Sequence, residues 1–259
     1  MPMILVRCYL DGSEDSDGRV FGVGGFVGNA EDWDSLQPIW IGALPAGVEF
    51  FHATDCFSGN NQFKGIPISA RTALLDTLTD YIVERHLTLI CHGVDVPAYH
   101  QYAARKRKID PFGQNKYGVC FGGAVGLACQ SIGDHGAGVE VKCAFVIERD
   151  EFEETAKREF SMLRSRPEIG YRDRIGTETY GDKTGDNAIP LLQVADLGAF
   201  LGVKYLGKCH PGRIDWRPYY HKLRSAGRIF KCVKDKRGKL KAMNRMLESL
   251  KHGNQYRLS

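Results

Sequence analysis

The chain has 259 residues, of which 43% are hydrophobic, and this is enough for one large domain with a sizeable core. Its first ten residues lack the basic start and the apolar run of roughly 7–15 residues that a secretory signal needs. No apolar stretch reaches the length of about 20 residues that spans a bilayer. The sequence therefore predicts neither a secreted protein nor a membrane partner.

The net charge of +4 is unevenly distributed along the chain. Residues 1–203 contain 19 basic and 28 acidic side chains, whereas residues 204–259 contain 16 basic and 3 acidic side chains. This asymmetry predicts an acidic domain, 1–205, and a basic C-terminal extension, 206–259, packed on it or appended to it. The extension is either a surface that faces nucleic acid or a solvated tail without a specific partner.

Eight cysteines are scattered along the sequence without a CxxC pair, and most of them have apolar neighbours. Cysteines in such surroundings usually behave as small core residues, and zinc sites have a more regular spacing. The cysteines therefore predict a reduced, cytoplasmic protein.

The predicted elements alternate between strands and helices. The first strand, Met3 to Leu10, is apolar on both faces, which is typical of a strand in the middle of a sheet, and a turn is predicted directly after it. Further strands are predicted at about 19–27, 87–94, 139–147 and 174–180, and helices at about 31–44, 67–82, 117–131, 152–163 and 189–205. This order indicates an α/β domain.

Two of these strands end in carboxylates. Asp11 follows the first strand, at the edge of the sheet where α/β folds build their sites, although an aspartate also caps turns. Glu148 follows the strand at 139–147. Asp150 shares the face of Glu148 if the strand continues; otherwise it caps the next helix.

A third carboxylate, Asp196, lies on the last predicted helix beside a face of small residues that allows close packing on a sheet. That face contains Ala195, Gly198, Ala199 and Gly202. A carboxylate in such a place is costly unless it is paired, hydrogen-bonded or bound to a metal, so the choice is between a structural salt bridge and a site.

The three carboxylates together favour a site for Mg²⁺ or Mn²⁺, because these ions prefer oxygen ligands. Two such ions about 4 Å apart stabilise both the attacking and the leaving oxygen of a phosphodiester displacement. No P-loop, HExxH motif or nucleophile elbow is present, which argues against an NTPase, a zincin or a serine hydrolase.

Other polar residues are candidates for supporting roles. His52 and Asp55 either assist proton transfer, contact a phosphate or form a hydrogen-bonded structural pair. Lys183, before the last long helix, is either a point charge for a phosphate or an exposed loop residue. Candidate nucleic-acid contacts in the extension, where aromatic residues lie between the basic ones, are Arg217, Lys234, Lys236, Arg237 and Lys239.

Four segments carry a resemblance to known proteins: Tyr9–Ser13 (YLDGS), Phe51–Asp55 (FHATD), Val146–Glu148 (VIE) and Leu192–Leu197 (LQVADL). In order and spacing they resemble the ribonuclease-H-like superfold. They resemble more closely the bacterial family catalogued as domain of unknown function thirty-eight hundred. The resemblance covers roughly residues 3–205 and implies a ribonuclease-H-like mixed sheet flanked by helices. The family's acidic residue after the first aspartate is absent here, where Gly12 stands, so Glu14 or Asp15 is the candidate substitute.

The expected function is a metal-dependent phosphodiesterase that cleaves nucleic acid. Asp11, Glu148, Asp196 and His52 are its candidate catalytic residues. The candidate metal ligands are Asp11, Glu148, Asp150, Asp196 and Glu14. A catalytically inactive nucleic-acid-binding protein of the same fold is the alternative; DNA and RNA, and the oligomeric state, are left open.

Overall fold

A computed structural model gives the fold and describes residues 3–105, 115–132, 140–186 and 188–235. The strands are β1 (Met3–Glu14), β2 (Val20–Asn29), β3 (Thr88–Asp95), β4 (Glu140–Glu148), β5 (Ile175–Gly181) and β6 (Ile229–Asp235). The helices are α1 (Ala30–Gly42), α2 (Ala53–Ser58), α3 (Ile68–Glu84), α4 (Val96–Arg105), α5 (Lys116–Ser131), α6 (Glu153–Ser165), α7 (Leu192–Gly207) and α8 (Arg217–Ser225). The protein is therefore an α/β protein, as its alternating sequence pattern predicted.

The six strands form one mixed sheet in the order β5-β4-β1-β2-β3-β6. The neighbours β1 and β2, and β2 and β3, are antiparallel. The remaining pairs, β1 with β4, β4 with β5 and β3 with β6, are parallel. β1 thus lies near the middle of the sheet, which confirms the prediction made from its two apolar faces.

β1 continues past its predicted end because residues Asp11 to Glu14 remain paired with β2. The turn comes only at Asp15, whose Oδ1 accepts hydrogen bonds from the backbone N–H groups of Arg19 and Val20 at 2.6 and 3.0 Å. The predicted strand end was therefore wrong. Asp11 lies within the strand, and Asp15 is the aspartate that holds the turn.

The alternation of side chains along β1 separates two hydrophobic cores, one on each face of the sheet. Helices α1, α2, α3, α7 and α8 cover the face that receives Tyr9, and α4, α5 and α6 cover the face that receives Cys8 and Leu10. Asp11, two residues after Tyr9, points to the α7 face. Glu14 points to the opposite face, where Lys116 of α5 pairs with it.

α7 lies close to the sheet because small residues line the contact. A Cβ atom at Gly198 would lie 3.0 Å from Cα of Gly25 and 2.7 Å from a ring carbon of Phe26. A Cβ atom at Gly24 would lie 3.2 Å from Cα of Ala199. The predicted small-residue face is the contact surface, and it brings Asp196 against β1.

The described part of the C-terminal extension joins the same sheet. Tyr219, Tyr220 and Leu223 of α8 belong to the core on the α7 face, and β6 is the outer strand beside β3. The extension is therefore integrated into the domain as far as residue 235. The predicted contacts Lys236, Arg237 and Lys239 lie outside the described residues.

All eight cysteines lie in the described residues and are free, and six of them are buried, as the sequence predicted for core residues. Within the described ranges, no helix has both the length and the apolar character needed to cross a membrane.

Candidate active site

Three carboxylates meet at one lysine at the end of the sheet. The Nζ atom of Lys183 lies 3.0 Å from Oδ2 of Asp11, 3.0 Å from Oε2 of Glu148 and 3.5 Å from Oδ1 of Asp196. We call Asp11, Glu148 and Asp196 the carboxylate cluster. The structure thus brings together the three main predicted ligands, which come from β1, β4 and α7.

The strand register explains how two of these carboxylates meet. β1 and β4 are parallel neighbours with Leu10 opposite Ile147, so the next residues, Asp11 and Glu148, lie side by side at the end of β4. Both point to the α7 face, since Tyr9 and Val146 pack against that core. The Asp11 carboxylate also accepts a hydrogen bond from the N–H of the following residue, at 2.7 Å.

Lys183 reaches the cluster from the loop after β5. The end of β5 is fixed beside β4, because the N–H of Arg149 donates to the carbonyl of Gly181 at 2.7 Å. The Lys183 side chain is only 13% exposed. It is therefore a largely buried ion-pair partner, whereas the sequence had left open an exposed loop lysine or a phosphate contact.

Gln193, one turn before Asp196 on α7, joins three parts of the chain. Its Oε1 accepts hydrogen bonds from the Nε1 of Trp40 at 3.3 Å and from the backbone N–H of Phe51 at 2.8 Å. Its Nε2 donates to the backbone carbonyl of Lys183 at 3.5 Å. The spacing of Gln193 and Asp196, which places both on one face of a helix, was the available sequence clue to this role.

His52 lies beside the carboxylate cluster, and its ring is oriented by the carboxylate of Asp55. Its Nδ1 lies 2.9 Å from Oδ2 of Asp55, and its Nε2 lies 4.0 Å from Oδ1 of Asp196. Asp55 also accepts a hydrogen bond from the Asn61 side chain at 2.9 Å. The imidazole, 38% exposed, therefore connects the cluster with solvent.

Burial dominates the ionisation of the cluster. It raises the pKa of Asp11 to about 7, against the opposing charge of Lys183 and with support from the neighbouring Glu148. It raises the pKa of Asp196 to about 6, against the opposing charge of Lys183 and with support from the neighbouring Asp11. Burial alone would lower the pKa of Lys183, but the surrounding carboxylates outweigh it and raise this pKa. Lys183 is therefore charged.

Asp150 lies after the end of β4, in the turn that precedes α6. Its Oδ1 accepts a hydrogen bond from the backbone N–H of Phe152 at 2.7 Å. Burial raises the pKa of Asp150, and the charge of Asp11 adds to this shift. This bond goes to the residue before α6, so Asp150 stabilises the preceding turn and does not cap the helix, which the sequence had allowed. Asp150 also interacts electrostatically with Asp11.

The candidate metal ligand Glu14 and the candidate nucleic-acid contacts Arg217 and Lys234 lie away from the carboxylate cluster. Glu14 is on the other face of the sheet, Arg217 pairs with Asp215 at 2.7 Å, and Nζ of Lys234 lies 3.6 Å from a carboxylate oxygen of Asp95. Glu14 is separated from Asp11 by an odd number of strand positions, so the two side chains point to opposite faces.

The cluster fits a hard divalent cation in its chemistry. Its ligands are oxygens, and they surround a single positively charged atom. The distances of 3.0 to 3.5 Å suit an ammonium and exceed the roughly 2.1 Å of a magnesium–oxygen bond. No group of three or more His, Cys, Asp or Glu residues in the described parts has a metal-binding arrangement. A metal would thus require Lys183 to withdraw and the carboxylates to contract.

Comparison of the chain with protein-family models, with curated proteins and with solved structures finds no significant match. The class of the protein is therefore defined by its architecture: an α/β protein with a mixed sheet of six strands and helices on both faces.

Proposed function

We propose that this protein is a metal-dependent phosphodiesterase that cleaves nucleic acid. The observation that carries the proposal is the convergence of Asp11, Glu148 and Asp196 on one cationic atom. Buried carboxylates are costly, and a site that gathers the buried Asp11 and Asp196 with the partly buried Glu148 is a candidate for function.

The ribonuclease-H-like fold is part of this proposal. It is supported by the position of β1 near the middle of a mixed sheet, by an aspartate on that strand and by a second aspartate on the helix that packs against it. Asp11, Glu148 and Asp196, which belong to three of the segments that carry the resemblance, lie close together in the structure although up to 185 sequence positions separate them.

In the proposed mechanism, Asp11, Glu148 and Asp196 would hold Mg²⁺ or Mn²⁺. An ion held there would supply charge stabilisation for the phosphodiester and a lowered pKa for the attacking water. Asp55 holds the Nδ1 side of the His52 ring, which leaves Nε2 directed towards the cluster. His52 is thereby positioned to accept a proton from the attacking water or to pass one to solvent.

The test is cleavage of single- and double-stranded DNA and RNA by purified protein supplied with Mg²⁺ or Mn²⁺. We expect cleavage that excess EDTA stops and that Asp11→Asn and Asp196→Asn abolish. Equal cleavage by both variants, or cleavage that persists in EDTA, would contradict the mechanism.

The second candidate function is nucleic-acid binding without cleavage. It is favoured by the excess of 16 basic over 3 acidic side chains in residues 204–259. In the described part, Lys231 is an exposed residue on the outer strand β6, which leaves its charge available to a phosphate. Salt-sensitive binding with no metal-dependent cleavage of any of the four substrates would favour this function over the enzyme.

A further inference from the structure

The positive charge at the centre of the carboxylate cluster is the side-chain ammonium of Lys183. Lys183 contacts Asp11, Glu148 and Asp196 at once, and its side chain is only 13% exposed. Three carboxylates of like charge repel one another in a buried setting, so this ammonium offsets a repulsion that would otherwise push them apart.

The backbone around Lys183 is held in place independently of its side chain. The carbonyl of Lys183 accepts from Gln193, and the carbonyl of the preceding Asp182 accepts a hydrogen bond from the N–H of Ile189 at 2.8 Å. The long, unbranched side chain of Lys183 can therefore leave the cluster by rotating about its own bonds. No rearrangement of these backbone hydrogen bonds is needed.

We infer that Lys183 is an exchangeable internal counter-ion: it keeps the three carboxylates together in the metal-free protein and competes with the divalent cation for them. The inference rests on the proposed function, because it requires a metal to bind at this cluster. The ammonium occupies the point at which oxygens of the three carboxylates converge, and a bound metal ion must occupy the same region. The two cations therefore exclude each other. Lys183 thereby sets the metal concentration at which the site fills.

The experiment compares Mn²⁺ binding to metal-stripped wild type and to Lys183→Met by calorimetric titration. Methionine has a similar length and no charge, so it removes the competitor while filling much of its volume. We expect Lys183→Met to bind Mn²⁺ at least about tenfold more tightly than wild type. Lys142→Met is the matched control, since Lys142 pairs with Glu140 at the opposite end of β4 and should leave Mn²⁺ affinity unchanged.

A second measurement is the melting temperature with and without Mn²⁺. We expect metal-free Lys183→Met to melt below wild type, because its three carboxylates lack their counter-ion, and Mn²⁺ to raise its melting temperature more than that of wild type. Should Lys183→Met fail to fold without metal, Lys183→Gln, whose amide still donates to a carboxylate, replaces it. Refolding of either variant on addition of Mn²⁺ would support the inference.

The outcomes separate this inference from the proposed function. Equal Mn²⁺ affinity in wild type and Lys183→Met, or weaker binding by the variant, overturns the counter-ion role and leaves the metal site intact. Binding by the variant alone supports the role. Absence of Mn²⁺ binding to wild type, Lys183→Met and Lys183→Gln refutes the metal site itself, and the inference is overturned with it.

Discussion

Asp196 accepts a hydrogen bond from the backbone N–H of Ala53 at 2.5 Å, and this contact joins α7 to the first residue of α2. The neighbouring residue of Ala53 is His52, whose ring faces the other oxygen of the same carboxylate. Asp196 therefore both belongs to the cluster and positions the segment that carries His52.

Asp196→Asn should abolish metal-dependent cleavage while largely preserving the fold. The amide keeps the size of the side chain, and its oxygen can still accept from Ala53, but it lacks the charge that binds a cation. Circular dichroism and a cleavage assay on the same preparation measure the two effects. Asp15→Asn is the matched control, since Asp15 is also buried but holds the turn between β1 and β2. It should lower stability and leave activity per folded molecule unchanged; loss of activity in the control as well would show that the assay reports folding.

The stability of the metal-free protein should fall as the pH rises from about 4 to about 7. The pKa values of Asp11 and Asp196 are raised to about 7 and about 6, above the value near 3.9 of an unfolded chain, so folding takes up protons in this range. Their contribution to the free energy of unfolding is fully present below pH 4 and is lost as the pH passes the folded pKa values. Urea unfolding in EDTA, compared between wild type and the double variant Asp11→Asn/Asp196→Asn, isolates this contribution. A difference between the two proteins that does not change with pH would contradict it.

His52→Gln should slow cleavage by roughly 10²–10⁴-fold, the usual contribution of a positioned acid or base. It should leave Mn²⁺ affinity nearly unchanged, because the metal ligands stay in place. Asp55→Asn should have a smaller effect on rate, since it weakens only the orientation of the ring. Wild-type cleavage rates in His52→Gln would leave the imidazole without a role in the reaction.

Gln193→Leu should lower the free energy of unfolding by about 2–4 kcal/mol. It leaves two buried donors, the Trp40 indole and the Phe51 N–H, without their acceptor. Gln193→Glu keeps acceptor oxygens for both donors, so the loss of free energy of unfolding that comes from unpaired donors should be smaller in this variant. The measurement is equilibrium urea unfolding, and a cost for Gln193→Leu below about 0.5 kcal/mol would mean that other acceptors replace Gln193.

Neutralising the basic residues near the C-terminus should weaken nucleic-acid binding and flatten its dependence on salt. The variant carries Gln at Lys234, Lys236, Arg237, Lys239 and Lys241. Each lost phosphate contact should reduce the slope of log K against log salt by about 0.9 for duplex DNA. Fluorescence anisotropy over a salt series measures both effects. An unchanged slope would place the nucleic-acid surface elsewhere.

The sequence by itself determined the alternation of β1 to β5 with the longer helices and the central position of β1, whereas α2, α4, α8 and β6 were not among the predicted elements. A strand with apolar residues on both faces is stable mainly in the interior of a sheet, where both faces are covered. Small residues at helical spacing likewise predicted the close packing of α7, because only such residues let a helix backbone approach a sheet. Asp11 and Glu148 were recognisable because each follows an apolar strand, and Asp196 because a carboxylate in apolar surroundings needs a partner.

Only the tertiary structure decided what that partner is. Lys183 lies in a polar loop, and nothing in the residues next to it indicates that it turns inward towards carboxylates that lie 172 positions earlier and 13 positions later. The end of β1 likewise depended on its pairing with β2, and the turn propensity of the residues after Leu10 does not predict that pairing. Glu14 and Asp11 are close in sequence but lie on opposite faces of the sheet, because side-chain direction in a strand follows the pleat once the strand continues.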